Sequence, residues 1–147
     1  METLQKRELQ KEGFRVVVSR VLDTDPDTSY LGEYSSTLKP GGIDRQERGD
    51  QGRNEYRYFN PGCGYPEYIE QDYKRMEALQ RQEWHYLGIV AKVYRAGIEL
   101  GQASVWGFES DSGEEFFTEQ ENEIAGEAIE TAKQNLAALC AEGKESK

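Results

Sequence analysis
With 147 residues the chain is long enough for one domain with a core of its own. Apolar residues make up 36% and charged ones 31%; nine tyrosines, five phenylalanines and two tryptophans add large areas to bury, which points to a folded chain and away from a disordered one. A net charge of −10 disfavours nucleic-acid binding by bulk attraction, one histidine and two distant cysteines exclude a Cys/His zinc site, and no apolar run nears the roughly 18 residues of a membrane helix.

In chain order, residues 1–12 are polar and read as a short helix or a mobile arm. They show no apolar leader, so export is not expected. Phe14 to Leu22 is dense in valine and predicts a strand, with Val16/Val18 and Val17/Val21 on opposite faces and both faces covered. Residues 23–66 hold all four prolines and little periodicity, which predicts a long irregular loop with at most a short strand at Tyr56–Phe59. Pro66 is placed to open a helix that runs to about Glu83. Tyr86 to Tyr94 and Ile98 to Phe108 predict two strands, and the short turn between them predicts an antiparallel hairpin. Ser112 and Glu115 match a capping box. The helix after it is expected to run to about Ala141 and stop near Gly143. Its buried stripe is expected to be Phe117, Ile124, Ala128, Ile129, Ala132, Leu136, Leu139 and Cys140. The expected fold is α+β in a single domain over residues 1–147: a small, mainly antiparallel sheet of three or four strands, a C-terminal helix on one face, and a second helix before the central hairpin.

Charge is concentrated in one place. Lys and Arg number 18 and Asp and Glu 28, yet residues 109–130 contain nine acids and no base, so acids and bases nearly balance elsewhere. Asp111, Glu114 and Glu115 suit the positive end of the helix dipole. Glu119, Glu123, Glu127 and Glu130 do not share that explanation. They recur at four-, four- and three-residue steps on the face opposite the apolar stripe, where like charges cost about 0.2–0.5 kcal/mol per pair. A row of carboxylates about 5–6 Å apart can enter a basic groove that otherwise holds phosphates; a hydrated face that keeps an acidic protein soluble is the plainer alternative. Glu109, Asp111, Glu114, Glu115, Glu119, Glu123, Glu127 and Glu130 are therefore the candidate partner-binding residues.

A second constellation lies in the loop. Arg45, Arg48, Arg53 and Arg57 alternate with Tyr56, Tyr58 and Phe59, residue types that neutralise and stack on single-stranded nucleic acid. Asp44, Glu47, Asp50 and Glu55 offset their charge, so an internally ion-paired loop is the competing reading. Asp23, Asp25 and Asp27 alternate like the first ligands of a calcium loop, but Pro26, Thr28 and Tyr34 break that pattern, and no metal or cofactor is expected. No Walker loop, GxGxxG or GxSxG occurs, and nothing marks a group to orient a Cys63–His85 pair, so no catalytic residue is assigned.

The segments Tyr30–Tyr34, Ile43–Asp50, Glu55–Phe59, Glu70–Glu77 and Trp106–Ser112 resemble a family of small acidic proteins of bacteriophages and plasmids, over roughly residues 14–115. No activity or site residue comes with that resemblance. It implies a mobile-element setting in the cytoplasm of a bacterial host, where small acidic proteins often inhibit host defence. The resulting expectation is a non-enzymatic inhibitor or adaptor, monomeric or dimeric, whose partner is a basic protein surface on a host nucleic-acid-binding defence complex such as a CRISPR effector or restriction nuclease. The alternatives are an accessory protein binding single-stranded nucleic acid through Arg45, Arg48, Arg53, Tyr56, Arg57 and Tyr58, and a regulatory or structural oligomer.

Overall fold
The computed structural model describes residues 2–50, 55–62 and 64–145. The elements are β1 (Thr3–Lys11), β2 (Phe14–Leu22), β3 (Gly32–Ser35), β4 (Ile43–Asp44), β5 (Tyr58–Pro61), α1 (Pro66–Gln80), β6 (Tyr86–Arg95), β7 (Ile98–Glu109) and α2 (Glu114–Glu145). This is an α+β fold with small antiparallel sheets, a C-terminal helix and a second helix before the β6–β7 hairpin, as the sequence pattern indicates. Two compact units form: Met1–Thr24 with Tyr86–Lys147, and Asp25–His85.

The first unit is a four-stranded antiparallel sheet in the order β1-β2-β6-β7. Both hairpins close through two left-handed residues, Glu12–Gly13 and Ala96–Gly97 (φ 53, 81, 52 and 77°), as a tight turn matched to strand twist requires. Within the expected helix or free arm of residues 1–12, the described residues form neither. Their Lys/Gln/Glu composition suggests helix, yet β1 pairs with β2 from Thr3 to Lys11, and its charged, exposed side chains are what an edge strand carries.

Helix α2 packs on one face of this sheet. Phe14, Val16 and Val18 of β2, Leu87, Ile89, Ala91 and Val93 of β6, and Leu100 of β7 meet Phe117, Ile124, Ala128, Ile129 and Ala132 of the helix. The helix backbone comes close at Gly101, where an added Cβ would lie 2.4 Å from the Ala128 carbonyl oxygen and 2.7 Å from the Ala132 nitrogen. The expected stripe is too long by its last turn: Leu136 is half-buried, and Leu139 and Cys140 are exposed. The helix also runs past Gly143. Its start differs as well, since Ser112 Oγ donates to the Glu109 carbonyl (2.7 Å) instead of capping, and α2 opens after Gly113 (φ 97°).

In the second unit β5 lies between β3 and β4 in an antiparallel sheet, so the segment expected as an irregular loop carries three short strands. Phe59 is fully buried, edge-on to Tyr34 (5.5 Å) and tilted against Tyr73 of α1 (5.3 Å). Asn60, also buried, donates to the Thr37 carbonyl and accepts from the Lys39 N–H, both at 2.9 Å, which orders the turn without regular structure. Trp84 closes the end of α1 by donating Nε1–H to the Arg75 carbonyl (2.9 Å) beneath the Arg75 guanidinium.

Candidate partner-binding face
The acids of residues 109–130 separate into two groups by the direction in which the helix turns them. At about 100° per residue, Glu121 falls in the sector of Phe117, Ile124 and Ala128, and so it faces the sheet. It is 3% exposed and accepts from two arginines: Arg20 of β2 through Nη2 (2.7 Å) and Nε (3.3 Å), and Arg7 of β1 through Nε (3.1 Å). Arg20, itself buried, also forks onto Glu114 (2.8 and 2.9 Å) and lies over the Phe117 ring (4.8 Å). The bond to Glu114 raises the Arg20 pKa most; burial opposes it and Glu121 supports it. In return Arg20 holds the Glu114 carboxyl below its ordinary range. Two arginines thus neutralise two carboxylates where charge would otherwise be costly beside an apolar core.

The outer face is different. Glu115, Glu119, Glu123, Glu127 and Glu130 are exposed, and none forms an ion pair with a described residue. They fall within an arc of about 120° that faces away from the sheet, over about 22 Å of helix axis. One strand of DNA carries a charge every 3.4 Å or so, so this row is a thinner line charge than a nucleic-acid strand but of similar straightness. The nearest base along the helix, Lys133, gives its ammonium to Glu12 (2.7 Å). Glu109, half-buried at the end of β7, and Asp111, exposed in the following turn, both interact within the chain. Among the eight acids expected to face a partner, Glu114 is therefore tied to the fold and Glu119, Glu123, Glu127 and Glu130 form the open row.

Glu121 and its arginines are absent from the sequence reading. The available signal was its position: Glu121 lies between Phe117 and Ile124 at helical spacing, so a carboxylate there needs buried cations, and the fold supplies Arg7 and Arg20.

The arginines of the second unit are occupied internally. Arg45 is 1% exposed, donates to Glu77 Oε1 (2.7 Å) and to the carbonyls of Asp50 (2.9 Å) and Tyr56, and stacks on Tyr34 (4.9 Å). It belongs to the interior, which corrects its assignment to a nucleic-acid surface. Burial penalises its charge most, and Glu77 with the tyrosines more than offsets this, so its pKa is raised. Among the described residues the buried Tyr34 hydroxyl has no hydrogen-bond partner; burial first, then Glu77, raises its pKa. Tyr73 donates to Asp50 (2.6 Å), and burial and that bond raise its pKa too. Arg57 forks onto Asp44 (2.7 and 3.0 Å) and lies over Tyr58; Arg48 pairs with Glu70 and lies over Tyr73. Tyr56 is exposed and Tyr58 half-buried. Arg53 and Cys63 lie outside the described residues. The ion-paired loop is what the described part of this segment shows.

Among the described residues no three His, Cys, Asp or Glu side chains converge as metal ligands would, and no helix is long and apolar enough to cross a membrane. Compared with protein-family models, with curated proteins and with solved structures, the chain matches none.

Proposed function
We propose that the protein is a non-enzymatic interaction protein of a bacteriophage or mobile element, which acts in the host cytoplasm by setting the outer face of α2 against a basic, nucleic-acid-binding surface of a host defence complex. The carrying observation is the contrast across one helix. The inward carboxylate Glu121 is held by Arg7 and Arg20, whereas Glu115, Glu119, Glu123, Glu127 and Glu130 stand exposed with no ion pair to a described residue. An unneutralised row costs a few tenths of a kcal/mol per neighbouring pair, which interleaved lysines would remove. A CRISPR effector or restriction nuclease, whose grooves are lined to hold phosphates, is the class of partner this charge pattern complements.

Affinity capture from a bacterial lysate at low and high salt, read by mass spectrometry, tests the reading. The expected catch is nucleic-acid-binding proteins released as salt rises, because exposed charges more than about 10 Å apart are screened at 0.1 M. A chain carrying Glu119→Lys, Glu123→Lys, Glu127→Lys and Glu130→Lys together should lose them while keeping its thermal melt. Capture that survives both high salt and the reversal refutes the proposal.

A further inference from the structure
The face of the four-stranded sheet turned away from α2 has a different character. Its centre is apolar: Val17 and Val21 of β2 and Val90 of β6 are 7, 5 and 8% exposed. Strand pairing sets polar groups around that floor. One cross-strand row reads Lys6, Ser19, Val90 and Ser104 from β1 to β7, and the next carries Val17, Lys92 and Gln102. Together with Trp106 these residues enclose a groove of about 360 Å³, at the small end of the range in which proteins hold single small molecules.

Trp106 is presented in an unusual way. The β6–β7 register shifts between Leu87 and Ile89, and the adjoining Gly107 has φ 84°, so a bulge re-aims the side chain here. The benzenoid ring of the indole lies directly over Gly88, where an added Cβ would come within 2.2 Å of Cε3. With one side on backbone, the residue is still 41% exposed. A large ring laid on a sheet and open on its other side is a stacking platform. The groove also holds cations. Lys6 is exposed and forms no ion pair with a described residue, and Lys92 reaches Glu99 only at 4.0 Å. Glu8, in the Val17 row, is taken by Arg15 at 2.6 Å.

We propose that this groove binds a free nucleotide, with its base stacked on Trp106 and its phosphate set between Lys6 and Lys92, the serine hydroxyls and the Gln102 amide meeting its polar edges. An apolar floor, one open indole and two ammonium groups match a planar ring that carries one anionic group. A long single strand fits less well, since beyond these two lysines it would run onto a molecule of net charge −10. A docked β-strand is not expected, because β2 and β6 already have both edges paired and the groove lies on their face. This site is independent of the acidic row on α2.

Calorimetric titration of the full chain with AMP, GMP, CMP and UMP at low salt, with the matching nucleosides as controls, tests it. Saturable binding of at least one nucleotide is expected, weakened about tenfold or more by loss of the phosphate, by Trp106→Ala, and by Lys6→Gln with Lys92→Gln. Trp106→Phe, which keeps a ring, should retain part of the affinity and serves as well where the alanine variant melts early. No saturable heat at millimolar nucleotide overturns the proposal, as does binding indifferent to these substitutions. Tighter binding of a short oligonucleotide overturns the free-nucleotide assignment. A dimer in sedimentation that disappears with Trp106→Ala gives the face to a second copy and overturns it equally.

Discussion

The inner and outer faces of α2 carry the same residue type under opposite rules. Inside, Glu121 sits against an apolar core at 3% exposure, bonded by two arginines from neighbouring strands. Outside, Glu119, Glu123, Glu127 and Glu130 follow the same helix in open solvent with no ion pair to a described residue. The fold therefore neutralises the carboxylate it buries and leaves the outer row without an ion pair to a described residue. The charge of residues 109–130 is two features with different causes. One ties the helix to the sheet; the other is the exposed row proposed to meet a partner.

Breaking the inner pair should have the largest effect. Arg20→Ala leaves buried Glu121 with only the part-exposed Arg7, and Glu121→Ala leaves buried Arg20 with only the exposed Glu114. Each is expected to cost about 3 kcal/mol in urea unfolding, the low end for a broken buried pair. Arg20→Met with Glu121→Leu should recover most of that loss, because the pair as a whole offsets its own desolvation only narrowly. A single substitution measured at under about 0.5 kcal/mol would place the anchoring of α2 elsewhere.

Gly101→Val comes next. Its side chain would meet the helix backbone at Ala128 and Ala132, and overpacking of this kind costs about 1–3 kcal/mol. Acid should then sharpen the contrast more gently. The Glu114 pKa is lowered by Arg20 and that of Glu12 by Lys133. A carboxyl whose folded pKa is depressed adds stability above its unfolded value, near 4.3, and loses it as pH falls through the folded one. The urea midpoint of the native chain should thus drop below about pH 4 more steeply than that of Glu114→Gln. Parallel curves would detach Glu114 from the anchor. The smallest effect on stability is expected on the outer face: Glu123→Gln with Glu127→Gln should leave the melt unchanged or raise it by a few tenths of a kcal/mol, as relief of like-charge repulsion allows. A marked loss there would show that the row is structural.

How far the sequence foreshadows this molecule depends on whether a segment's pattern is local. β2 was legible to the residue because valine density sets both its type and its ends, and the β6–β7 hairpin because a two-residue turn with glycine joins two apolar runs. The exposed glutamates were legible because helical spacing alone fixes a face. β1 was not: its composition favours helix, and only pairing to β2 makes it a strand. The same holds for β3 and β4, four and two residues long, which exist because β5 lies between them. Arg45 looked like a surface cation because its partner Glu77 is 32 residues away on α1. Glu121 was overlooked for the same reason, since the cations that make it an anchor come from strands more than 100 residues earlier. Trp106 gave no hint of a groove, because Gly88, Lys6 and Ser19 reach it only through the sheet.

The most direct test of the central claim is a structure of the chain bound to whatever partner it captures. The account predicts the outer carboxylates Glu119, Glu123, Glu127 and Glu130 within ion-pairing distance of lysines or arginines of that partner, with Arg20 still on Glu121. A complex in which this helix face meets only water, while another part of the chain makes the contact, would contradict it.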